Sequence, residues 1–92
     1  MTVYIIGYDL NIPGQDYNKL IEAIKKTGTW WHQLDSTWIV ESNLSAEKIR
    51  DILIQYLDRN DKILVAKLSG ESAWAGFDKT GSDWLLNVLN RA

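Results

Sequence analysis

The sequence predicts an α+β domain with elements in the order β-α-β-β-α-β, and three observations carry that prediction. The apolar run Tyr4-Ile5-Ile6-Gly7-Tyr8-Asp9-Leu10 is short, rich in β-branched and aromatic residues, and ends on a carboxylate, as a buried central strand would. Two apolar stripes at helical spacing, one from Tyr17 to Ile24 and one from Ile49 to Leu57, flank a pair of strand-like segments. A last apolar run, Lys62 to Leu68, follows the second stripe.

Taken in order, the first strand is closed by the Asn11-Ile12-Pro13-Gly14 turn, because Pro and Gly would interrupt a helix. Asp16 is placed to cap the first helix, whose stripe is Tyr17, Leu20, Ile21 and Ile24, and Lys25-Lys26-Thr27-Gly28 supplies its stop. Thr29 to Leu34 and Thr37 to Ser42 form a hairpin about the turn formers Asp35 and Ser36. Ser45 caps the second helix, in which Ile49, Ile52, Leu53, Tyr56 and Leu57 share one face and Leu44 staples onto Ile49. Right-handed crossovers would then set both helices on one face of a four-stranded antiparallel sheet, the split βαβ or ferredoxin-like arrangement. The other face is expected to be open. Residues 69–92 continue as an arm with Trp74 and Phe77, expected to pack on a sheet edge of its own chain or a partner, and a short helix capped by Ser82 that carries Trp84, Leu85, Val88 and Leu89. The chain reads as a single domain, with residues 1–68 as its core and 69–92 as its arm and helix.

Ninety-two residues with 46% hydrophobic content suffice for one core. A domain this small gains by burying an apolar sheet face against a second copy, so a homodimer is expected. Cysteine is absent, which removes disulfides, thiolate nucleophiles and cysteine-bound zinc and suits a reducing, cytoplasmic setting. No signal peptide or membrane span is expected. The net charge of −2, with lysines and arginines scattered, argues against a protein that coats nucleic acid.

Three features coincide in order and spacing: Tyr8-Asp9-Leu10 at the end of the first strand, Gln33 followed by Ser36-Thr37-Trp38-Ile39-Val40-Glu41, and Asp61-Lys62-Ile63-Leu64-Val65 opening the last strand. Over its first three quarters the chain thus resembles the CRISPR-associated protein two family and its VapD-type toxin relatives. The resemblance implies a ferredoxin-like homodimer in which Asp9 faces its copy across a divalent metal, Mg²⁺ or Mn²⁺. It implies metal-dependent endonuclease chemistry on RNA in the first place and DNA in the second, or a catalytically inactive scaffold of the same fold. The chain differs from the family pattern in placing two residues, Leu34 and Asp35, between Gln33 and Ser36 where the family has one.

Asp9 is therefore the candidate catalytic and metal-binding residue, against the plain alternative of a turn-forming aspartate. His32, the only histidine, and Glu41 are accessory candidates; a lone histidine excludes zinc sites that need two. His32 would shuttle a proton only if it faced Asp9, and otherwise reads as a packed residue. Tyr8, Trp30, Trp31, Trp38 and Trp74 are candidates for an interface or open face, with core packing as the simpler account. Neighbours on one strand, Trp30 and Trp31 must point to opposite faces. A protein partner bound through the Trp-rich tail is the remaining expectation.

Overall fold

The computed structural model describes residues 1–11 and 17–92. Within them lie β1 (Thr2–Asp9), α1 (Asn18–Lys25), β2 (Thr29–Leu34), β3 (Thr37–Ser42), α2 (Ala46–Leu53) with a 3-10 turn (Ile54–Tyr56), β4 (Lys62–Lys67) and α3 (Lys79–Leu89). The expected turn from Asn11 to Gly14 lies outside the described residues except for Asn11, and the expected cap Asp16 lies outside them entirely. Among the described residues the strands form one sheet in the order β2-β3-β1-β4, each neighbouring pair antiparallel. The stretch expected to be central is central: Ile6 sits opposite both Trp38 and Val65, and is fully buried.

One face of the sheet carries Tyr4, Ile6, Trp38 and Val40, and the stripes of α1 and α2 close over it with Leu20, Ala23, Ile24, Ile49 and Leu53. Burial of such side chains is the main stabilising term, about 1.5–3 kcal/mol for each large one. The Ser45 hydroxyl accepts from Lys48 N at 3.1 Å and caps α2 as expected, and Leu44 packs against the same core. At the end of α1 the chain passes close to β3. A Cβ at Gly28 would collide with the Glu41 carbonyl oxygen, so only glycine allows the approach, and Ser42 Oγ donates to Thr27 O at 2.6 Å beside it.

The second face is not left open, and this corrects the sequence expectation. Val3 and Trp31 are buried there beneath Leu85, Val88 and Leu89 of α3, with Ile39, Leu68, Trp74, Phe77 and Trp84 around them. The arm contributes no strand among the described residues; it lays Trp74 and Phe77 on its own sheet, with Phe77 edge-on to Trp31 at 4.8 Å. The last helix also starts earlier than expected. Its cap is Asp78, whose carboxylate accepts from Gly81 N at 2.7 Å, whereas Ser82 lies inside the helix and accepts from Trp74 Nε1. Aspartate caps as well as serine, and the apolar side of α3 begins only at Trp84, which is why the periodicity pointed to the later start.

A β-bulge in β2 supplies the seat for α3. Trp31 pairs with Ile39, yet Leu34 pairs with Thr37, so one extra residue is accommodated between them on β2. Gln33, in that irregular stretch, reaches Asp78.

Candidate functional site at the Asp9 end of the sheet

Asp9 closes β1 directly opposite Lys62 of β4 and is exposed. Side chains alternate along a strand, so Asp9 follows Ile5 and Gly7 onto the second face, beyond the part that α3 covers. It lines a shallow depression of about 420 Å³ together with Gly7, Ser36, Thr37, Lys62 and Leu64. Among the described residues its carboxylate takes no hydrogen bond or ion pair. Most of the turn that Asp9 would form lies outside the described residues.

The loop beside it is tied by a different aspartate. Asp61 accepts from Asn11 N at 2.8 Å, from Asp58 N at 2.9 Å and from the Tyr17 hydroxyl at 3.0 Å, while Asn11 Nδ2 donates to Asn60 O. Those donors, the Asn11 amide first, hold the Asp61 carboxyl below the usual carboxylate range. Asp61 thus joins the end of β1, the start of α1 and the entry to β4. The sequence offered one signal for this, an aspartate three residues after Asp58 in a turn, but its partners are about fifty residues away in the chain.

The accessory candidates do not converge on Asp9. Glu41 sits opposite Val3 at the other end of β1, six residues from Asp9 and so roughly 20 Å along the strand. Its carboxylate is held by the Arg91 guanidinium at 3.0 Å. His32 lies on the helix face, stacked on Trp38 with ring centroids 3.8 Å apart, and its Nε2 is 3.1 Å from Asp35 O. The condition for a proton shuttle, that His32 face Asp9, is not met. Among the described residues Asp9 is the only carboxylate lining the depression, and no group of three or more histidine, aspartate or glutamate side chains comes together to hold a metal ion. A carboxylate pair would require a second copy.

The aromatic candidates divide by face. Trp38 is 1% exposed in the first core, where its Nε1 donates to the Tyr8 hydroxyl at 3.0 Å. Trp30 packs against Trp38 on the same side, 43% exposed, with the Lys25 ammonium 5.0 Å above its ring. Trp31, on the second face, is 4% exposed, and Trp74 is half-buried beside it. The sequence expectation that Trp30 and Trp31 diverge holds, but Trp31 and Trp74 are covered by the chain's own arm and helix. Where α3 stops, β1 and β4 continue uncovered: Leu64 is 65% exposed, next to half-buried Ile5, Gly7 and Ala66.

No helix among the described residues is long and apolar enough to cross a membrane. No family model matches this chain, and no solved structure matches it.

Proposed function

We propose that the chain is a ferredoxin-like, cytoplasmic interaction protein that works as a homodimer, its function being to present a fixed surface to a partner or substrate held by the pair. The element order and the β2-β3-β1-β4 sheet support the split βαβ assignment. One observation carries the functional part: α3 and the arm cover the end of the second face at Val3, Trp31, Ile39 and Leu68, so Leu64 on the edge strand β4 stays exposed in the single chain. Large apolar side chains on an edge strand are a liability unless something pairs with them. Sedimentation over a range of concentrations tests the reading; a concentration-dependent mass of two chains is the expected result, and one chain throughout would overturn it.

A second reading is favoured by Asp9, exposed and unpartnered beside Ser36, Thr37 and Lys62. It makes the chain a metal-dependent endonuclease of the CRISPR-associated protein two or VapD type, acting on RNA before DNA. In this reading Asp9 of each copy holds a shared Mg²⁺ or Mn²⁺, and Lys62 sits where phosphate charge would gather. Such an ion, when bound, activates water and offsets charge on the phosphate. Cleavage of short labelled RNA and duplex DNA by wild type and Asp9→Asn tests it: loss in the variant supports the endonuclease, and equal activity in both removes it.

A further inference from the structure

Deepening the homodimer reading, on which it rests, we infer that β4 pairs antiparallel with β4 of a second copy, about a two-fold axis that passes between the two Leu64 residues and joins the sheets into one.

The backbone of β4 fixes which groups are free to pair. Leu68 N donates to Val3 O at 2.9 Å, so Leu68 belongs to a hydrogen-bonded pair with β1, and by alternation so do Ala66, Leu64 and Lys62. The N–H and C=O groups of Ile63, Val65 and Lys67 therefore point outward from the sheet edge. A two-fold axis perpendicular to a sheet keeps each residue on its own face, so it must set one β4 residue opposite itself. With Leu64 at the axis, outward groups of Ile63 meet those of Val65 in the second copy, and the two leucines face each other as a non-hydrogen-bonded pair, the closer kind. Each then buries the side chain that the single chain leaves 65% exposed.

Charge selects the same register. Lys67 falls opposite Asp61 of the second copy and Lys62 opposite Ala66, so neither edge lysine meets a like charge. Along the helix side of the edge runs a depression of about 300 Å³ between Ile63, Leu64 and Val65 and one turn of α2 bearing Ala46, Glu47 and Arg50. Sliding by two residues to centre Val65 removes the Lys67 and Asp61 pairing and sets Lys67 against Ile63. A second copy is thus the occupant whose edge charges, Lys67 and Asp61, complement those of this edge.

This interface also separates the two Asp9 carboxylates. Two β1 strands lie three strand spacings apart across the joined sheet, and Asp9 is offset from the axis by two residues on each side, which places the carboxylates about 20 Å from each other. They could not share one ion.

The chain has no cysteine, so a single Leu64→Cys substitution gives an unambiguous readout. Leu34→Cys, 46% exposed on the opposite edge strand β2, is the control. Under mild oxidation Leu64→Cys should convert to a disulfide-linked dimer, while Leu34→Cys stays reduced. Leu64→Glu, at a site too exposed to unfold the chain, should weaken the dimer on the order of 100-fold, with an unchanged circular dichroism spectrum. A wild-type dimer that neither cross-links through Leu64→Cys nor responds to Leu64→Glu overturns the interface while leaving the homodimer standing. A wild type that is one chain at every concentration overturns both.

Discussion

The side-chain amide of Gln33 donates to Asp78 Oδ1 at 2.9 Å, and that contact fastens the bulge of β2 to the first turn of α3. Asp78 simultaneously caps the helix through Gly81 N. Gly81 is buried against Gln33 so closely that a Cβ there would meet the Gln33 side chain. This residue pair therefore joins the burial of Leu85, Val88 and Leu89 in seating α3 on the second sheet face. Gln33→Ala should lower Tm and expose Trp31, read as a red shift and stronger quenching of tryptophan fluorescence by iodide.

Acid should loosen the same attachments. Asp78 and Asp61 both have carboxyls held below their ordinary value, by the Gly81 amide and Gln33 in the first case and by the Asn11 and Asp58 amides in the second. A carboxyl whose folded pKa is depressed contributes stability above its unfolded pKa, and that contribution is lost as pH falls through the folded value. Melting temperature should thus be flat near neutrality and fall below about pH 5. In Asp61→Asn the starting Tm should be lower and the acid slope shallower; an unchanged slope would mean that Asp61 is not a source of it.

The two buried tryptophans should respond differently to loss of the indole nitrogen. Trp38 Nε1 donates to the Tyr8 hydroxyl, whereas Trp31 Nε1 is buried with no partner among the described residues. Trp38→Phe forfeits a hydrogen bond, and Trp31→Phe deletes an unsatisfied donor. Urea denaturation should find Trp38→Phe the costlier by about 1 kcal/mol or more. Truncation of Trp31 to alanine should nevertheless cost about 3–5 kcal/mol, as for a core residue.

Gly28→Ala should destabilise by about 1–3 kcal/mol, because the added methyl meets the backbone of Glu41 and Ser42 rather than a side chain that can swing away. Arg91→Ala, by contrast, breaks an ion pair whose cation is half exposed, and should cost no more than about 1 kcal/mol. Thermal melts of the two variants side by side separate a steric requirement from a screened charge contact.

Asp9→Asn should leave Tm and dimer mass unchanged, since the carboxylate makes no bond within the described residues. Any change in nucleic-acid cleavage then reports on chemistry at Asp9 and not on folding. A fall in Tm would instead reveal a structural task for this carboxylate.

By itself the sequence determined the local elements. The strand ending on Asp9, the hairpin about Asp35 and Ser36, the stripes of α1 and α2, and the Ser45 cap follow from period, turn chemistry and caps, all of which act within a few residues. Tertiary structure alone decided the rest. The arm's small residues carry no period, so nothing local says that Trp74 and Phe77 fold back over Trp31, or that α3 starts at an aspartate seated by Gln33 some 45 positions earlier. Nor does spacing reveal that Glu41 is taken by Arg91 and that His32 lies on the face away from Asp9. Burial and pairing between distant segments depend on which apolar surfaces remain once the first core has formed, and that remainder is settled only when the sheet is assembled.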